Sequence, residues 1–194
     1  MEVFTIEDRK YTIKEYLDLL KNSKHKLELN AGQITMMAGA SRNHNDICVN
    51  TLVALRNKTN GCYVTASDTA ISVASSNSYF FPDISATCQE PAFEEGGIAR
   101  MLNPELIVEV LSLSTERRDK SIKWDAYMSI PSLKEYVLID SKSMSVQTYF
   151  RREKGSWAIG NYYLPEHDVY FETLGVAVPV SVIYANVTFP ELDV

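Results

Sequence analysis

The sequence predicts one α/β domain, a central β-sheet flanked by helices and carrying added β-hairpins. Three observations lead there. Apolar residues recur at helical intervals in two stretches, Ile13, Tyr16, Leu17 and Leu20, then Ile47, Cys48, Thr51, Leu52 and Leu55. The run Leu106-Ile-Val-Glu-Val-Leu111 is nearly all apolar, as expected of a central strand buried on both faces. Ser141-Lys142-Ser143 separates two strand-like runs and reads as the turn of a hairpin.

Taken in order, Thr12 and Glu15 have the spacing of a capping box and open the first helix. Asn30-Ala31-Gly32 is a turn between short strands at 26–29 and 33–37. The second helix begins after Ser41 and ends at Asn60-Gly61, where glycine suits the left-handed position past a helix C-terminus. Strands are expected at 63–66, 69–73, 79–88 and 106–111, then a third helix over 116–129 closed by Pro131. Strands at 136–140 and 144–151 flank the hairpin turn. The tail adds strand-like pieces near 157–162 and 175–178 and a short helix at 181–186. With 194 residues and no repeat, low-complexity segment or linker, the whole chain, 1–194, is expected to form a single domain.

Composition narrows the setting. No stretch approaches the roughly 20 apolar residues of a membrane helix, so no membrane association is expected. The opening Met1-Glu-Val-Phe-Thr-Ile-Glu-Asp lacks a basic n-region and does not read as a signal peptide. Cys48, Cys62 and Cys88 are too few and scattered for a disulfide framework, and a reducing cytoplasm is the expected location. The net charge of −6 argues against strong nonspecific binding to nucleic acid and leaves room for transient, metal-assisted contact. Basic residues are local, in Arg117-Arg118-Asp119-Lys120 with Lys123 and in Arg151-Arg152-Glu153-Lys154.

The chemistry-bearing residues are acids in strands. Asp83 follows Pro82, and a proline in a strand marks a start, an edge or an opening toward a cleft. Glu109 is the one charge in the Leu106–Leu111 run, costly to bury unless paired or coordinated. Two carboxylates on neighbouring strands can share a hard cation such as Mg²⁺, which takes oxygen ligands. Read singly, Asp83 is a metal ligand or a turn residue, and Glu109 a ligand or an acid paired with an arginine. His44 and Cys48 share one helix face at i,i+4, but no CxxC or second histidine completes a zinc set. His44 therefore reads as a helix-start residue or an accessory group facing the cleft. Asp68 reads as a turn acid, Gln89 carries no role, and Tyr127 and Tyr136 read as core aromatics with a polar tip.

Pro82-Asp83, then Glu109-Val-Leu-Ser-Leu-Ser-Thr115, then Arg118-Asp119 with Lys123 and Tyr127, resemble the PD-(D/E)XK nuclease superfamily. Within it the chain is similar to the Uma-two family of restriction-endonuclease-like proteins. The likeness spans nearly the whole sequence, including Glu28-Leu29-Asn30-Ala31-Gly32 and His44, and is most specific from Glu109 to Asp140. It implies a restriction-endonuclease-like fold with a central mixed β-sheet. It also implies Asp83 and Glu109 as catalytic ligands of Mg²⁺ or Mn²⁺, and DNA as substrate. One position departs. The superfamily's lysine stands two residues after the acid, where this chain has Leu111. The resemblance implies that Lys123 on the following helix substitutes, with Lys120 in reserve, and that Glu28 and His44 are accessory. Lys123 read alone is equally an i,i+4 partner of Asp119.

Three functions follow as expectations: a Mg²⁺-dependent endonuclease, an inactive binding or scaffolding protein that keeps the fold, and a hydrolase of smaller phosphate esters. By analogy with nucleases of this fold a homodimer is expected. An edge hairpin at 144–151 and Trp157, Tyr162 and Tyr163 are either its contact surfaces or packed inside the domain.

Overall fold

The structure is a computed structural model that describes residues 8–37, 39–94, 98–112 and 116–189. Residues 113–115 of the Glu109–Thr115 motif and residues 1–7 of the leader reading lie outside the described residues.

The first helix, α1 (Ile13–Asn22), starts on the expected capping box. Thr12 Oγ1 accepts from the Glu15 backbone N–H and the Glu15 carboxylate accepts from Thr12 N–H. Strands β1 (Leu27–Asn30) and β2 (Gln33–Met36) form a hairpin. Its two turn residues, Ala31 and Gly32, have φ of +47° and +87°, the left-handed pair that matches the twist of antiparallel strands. Helix α2 (Arg42–Lys58) is capped by the Ser41 side chain. Then come β3 (Tyr63–Ala66), β4 (Ala70–Val73), β5 (Ser78–Phe80), β6 (Ile84–Thr87), two-residue strands β7 (Phe93–Glu94) and β8 (Arg100–Met101), and β9 (Leu106–Leu111). Beyond them lie α3 (Glu116–Arg118), a π-helical turn (Asp119–Lys123), α4 (Trp124–Met128), β10 (Glu135–Asp140), β11 (Val146–Arg151), β12 (Trp157–Tyr162), β13 (Asp168–Phe171), β14 (Val176–Pro179) and α5 (Val180–Ile183).

These strands build two six-stranded mixed sheets, in the orders β2-β1-β5-β4-β8-β7 and β12-β11-β10-β9-β6-β3, and a β13–β14 pair. In the second sheet β9 and β10 run parallel and the other pairings are antiparallel. Strand alternation sends Val108, Val110, Val137 and Ile139 into a core with α2, α5 and β13–β14. Ile107, Leu111, Tyr136 and Leu138 go to the other face, against Ala126, Tyr127 and Ile130. The helix α1 covers the first sheet through Tyr16 and Leu20. Among the described residues no helix is long and apolar enough to cross a membrane.

Four expectations are corrected. The strand expected over 79–88 is two strands, β5 in one sheet and β6 in the other. Pro82 has no N–H to offer a ladder, and the neighbouring Phe81 N–H goes to Glu28 Oε1 at 3.0 Å instead of to a strand. The helix over 116–129 is not regular, because the π-turn interrupts it. The run 144–151 is no edge, since β12 pairs along all of β11, with Val146 opposite Tyr162 and Arg151 opposite Trp157. Finally, Cys62 and Cys88 form a disulfide across 26 residues of sequence. They flank the Tyr63–Thr87 pair of β3 and β6, so strand register, invisible as a spacing rule, sets them face to face.

Candidate active site

The site lies where the chain passes from the first sheet to the second. Ile84 pairs with Val108, so Asp83, one residue earlier, comes opposite Glu109 across the β6–β9 ladder. Asp83 Oδ2 accepts the Val110 N–H at 2.7 Å, which fixes the carboxylate at the open end of the strand pair. From the first sheet, Glu28 projects inward from β1 and is fully buried. Both acids are thus held by backbone N–H groups, Glu28 by Phe81 at the crossing and Asp83 by Val110 of β9.

The helical segment supplies the cations. Lys123 is 2% exposed, and its Nζ lies 2.8 Å from Glu109 Oε1, 3.3 Å from Asp119 Oδ1 and 3.4 Å from Glu28 Oε1. Arg118 Nη2 lies 2.8 Å from Glu28 Oε2. Tyr127 donates its hydroxyl to Glu109 Oε1 at 3.0 Å, and Tyr136 donates to the Asp119 carbonyl at 3.1 Å. Asp119, Lys123 and Tyr127 sit four residues apart, and the π-turn carries the first two inward together. Leu111, on the same strand face as Glu109, stays in the apolar core, while Lys123 delivers an ammonium to Glu109 from the helix. Lys120 turns away, to Glu116 Oε1 at 2.7 Å, and does not reach the cluster.

Carboxylates outnumber fixed cations in this cluster. Four carboxyl groups (Glu28, Asp83, Glu109 and Asp119) face Lys123 and Arg118, with the His44 imidazole beside Asp83. Burial, with Asp119, Asp83 and Glu28 adding to it, holds Glu109 well above the usual carboxylate range, and Lys123 alone pulls it down. Burial works against the Lys123 ammonium, but Glu109, Glu28 and Asp119 outweigh it and keep the lysine charged. Glu28 Oε2 and Asp119 Oδ1 are buried and met by ion pairs, to Arg118 Nη2 at 2.8 Å and Lys123 Nζ at 3.3 Å, rather than by directed hydrogen bonds. A carboxylate-rich pocket of this kind, with Asp83 and Glu109 lining one cleft, fits a hard divalent cation.

His44 opens α2, its N–H donating to Ser41 Oγ at 3.2 Å. Its Nε2 is 3.4 Å from Asp83 Oδ2, and its Nδ1 is 3.5 Å from Cys48 Sγ. Burial opposes the imidazolium, but the hydrogen bond and charge of Asp83, then Asp119 and the Val110 carbonyl, raise the His44 pKa overall. Burial first, then the Asp83 charge, pushes the Cys48 thiol up. His44, Cys48, Asp83, Glu109, Asp119 and Lys123 all line one cleft of about 650 Å³, whose outer wall carries Met36, Met37, Val49 and Phe81.

The remaining sequence candidates fall outside the cleft. Asp68 is an exposed turn acid paired with Lys26 at 3.0 Å, and Gln89 donates to Glu105 at 3.1 Å. Arg118 and Asp119, part of the motif that carries the resemblance but given no role from it, take places in the cluster as partners of Glu28 and Lys123. The i,i+4 series Asp119, Lys123, Tyr127 was the available signal.

Comparison with known proteins gives the family and the fold. The family profile Uma2, described as "Putative restriction endonuclease", matches residues 13–181. The uncharacterised Synechocystis protein slr1290 is 33% identical over 182 residues, spanning 93% of this chain and 94% of the relative. A second Synechocystis protein, sll1609, is 36% identical over 150 residues, 76% of this chain and 85% of its own length. The crystal structure of a putative nuclease from Anabaena variabilis superposes with a TM-score of 0.71 at 16% identity, covering 90% of this chain and 98% of that one. The chain therefore belongs to the Uma2 family, and its mixed α/β fold is that of the Anabaena protein.

Proposed function

Starting from membership of the Uma2 family, we propose that this protein is a metal-dependent endonuclease that hydrolyses DNA phosphodiester bonds at the Asp83–Glu109–Lys123 cluster. The observation that carries the reading is the position of Lys123. A lysine 14 residues downstream in sequence reaches Glu109 at 2.8 Å, on the strand face where the superfamily's own lysine would stand.

In this reading Asp83 and Glu109 hold Mg²⁺ or Mn²⁺, which supplies charge neutralisation at the scissile phosphate and acidifies a water. The excess of carboxylate over fixed cation supports that assignment. Tyr127 and Val110 N–H hold the two ligands in place from behind. Lys123 has three donors, and once a cation occupies Glu109 its ammonium can orient the attacking water or stabilise charge on the phosphate oxygens. Glu28 and Asp119 keep that ammonium from swinging out, and Arg118 in turn holds Glu28. The acidic overall balance fits contact through a metal and a local site better than through a basic groove.

One observation favours a second reading, a binding protein without chemistry. Lys123 and Tyr127 both engage the same Glu109 oxygen, so the acid is already neutralised internally. Metal binding separates the two. Calorimetry with Mg²⁺ and Mn²⁺ on the native protein should give binding that Asp83→Ala and Glu109→Ala both lose. Nicking of supercoiled plasmid should then fall on the order of 10²-fold or more in Lys123→Ala. Absence of binding by the native protein, with DNA present, would overturn the nuclease reading and leave the binding protein.

A further inference from the structure

The i,i+4 pair His44 and Cys48 lacks a third partner in the sequence, yet the fold provides one. Asp83, from the crossing between the two sheets, brings its carboxylate to the pair, and the ligand atoms of the three residues all lie within 4.8 Å of one another. We propose that His44, Cys48 and Asp83 form a binding site for a thiophilic divalent ion of the zinc class, which shares Asp83 with the Asp83–Glu109 oxygen pair but adds nitrogen and sulfur ligands to it.

Geometry and ligand type support it. Nitrogen and sulfur ligands on a tetrahedral zinc, at about 2.0 and 2.3 Å, are separated by about 3.6 Å. His44 Nδ1 and Cys48 Sγ stand 3.5 Å apart. Helical spacing fixes these two on one face of α2, and the Val110 N–H fixes Asp83 from the other side. Three protein ligands of nitrogen, sulfur and oxygen leave a fourth position, and all three residues line the cleft, which can fill it with water or substrate oxygen. Coordination replaces the Cys48 thiol proton, which leaves to solvent, so the bound form is a thiolate. A thiolate and an imidazole prefer zinc, cobalt or copper over magnesium, so this site and a hard-cation site sort different ions.

The cysteine inventory makes the site testable. Three cysteines are present, and Cys62 and Cys88 are joined, so under non-reducing conditions Cys48 is the free thiol. Cobalt titrated into the native protein should develop sulfur-to-cobalt charge-transfer absorption in the near ultraviolet at one equivalent. Cys48→Ser and Cys48→Ala, checked for native circular dichroism, should lose that band. His44→Ala should weaken cobalt binding by about 10-fold or more. In the unmodified protein, Zn²⁺ should slow alkylation of Cys48 by at least about 10-fold while Mg²⁺ leaves it unchanged. No charge-transfer band in the native protein, a band that survives in Cys48→Ala, or alkylation indifferent to zinc would each overturn the proposal. None of these readouts depends on DNA cleavage, so they stand apart from the fate of the nuclease reading.

Discussion

Two buried acids on adjacent parallel strands behave in opposite ways. Glu109 sits near the end of β9 and Glu135 at the start of β10, and both are all but inaccessible to solvent. Burial raises the pKa of each. Glu135 is answered by neutral donors, its two oxygens accepting the Glu172 and Thr173 N–H groups at 3.1 and 2.8 Å. It pins the turn at Glu172 and Thr173. Glu109 is answered by an ammonium and a phenol and shares its cleft with two further carboxylates, Asp83 and Asp119. Burial therefore does not mark a site. A site is marked by the kind of partner and by an open cleft beside it.

The largest effect should come from removing the cation. Lys123→Met leaves Glu109, Glu28 and Asp119 without their shared ammonium and should cost about 3–5 kcal/mol, measured by urea unfolding in the absence of divalent ions. A loss below about 1 kcal/mol would mean the lysine is not the cluster's counter-ion.

Glu135 offers the pH test. Its carboxyl is pushed up to about 7 by burial, which outweighs the Thr173 and Glu172 donors that lower it, from an ordinary value of 4.5. Between those values the folded state holds the proton and the unfolded state does not. Stability from this group is complete below the lower value and is lost as pH rises through about 7. Native protein should thus lose on the order of 3 kcal/mol more than Glu135→Gln between pH 4.5 and pH 8, read from thermal or urea unfolding. Adding Mg²⁺ should leave that difference untouched, because Glu135 is remote from the cleft. A difference abolished by Mg²⁺ would erase the distinction drawn between the two acids.

The smallest effect sharpens the contrast from the other side. Tyr127→Phe removes one donor from Glu109 without creating a cavity and should cost about 1 kcal/mol. It should also weaken Mg²⁺ binding in calorimetry. A variant that binds the ion as the native protein does would remove Tyr127 from the support of Glu109.

Legibility of the fold followed the range of the forces involved. The capping box at Thr12 and Glu15, the Ala31-Gly32 turn and the β10–β11 hairpin rest on contacts a few residues long, so their residues announce them. Glu109 was visible because a charge inside Leu106–Leu111 breaks a local pattern. The short pieces β7 and β8 and the strand β13 were not, since two-residue strands have no period and the alternation of β13 lasts only four residues, Asp168–Phe171.

Sequence by itself thus determined the α/β class, most of the elements and the identity of the acids Asp83 and Glu109 as exceptional. Tertiary structure alone decided what they meet. The break at Pro82 sends one run into two sheets, and that crossing gathers Glu28, Asp83 and the Cys48–His44 pair from segments up to 55 residues apart. Strand register joins Cys62 to Cys88, and a π-turn swings Asp119 and Lys123 inward. Each depends on the packing of distant segments, and a distance in space between residues so far apart along the chain leaves no spacing for the sequence to show.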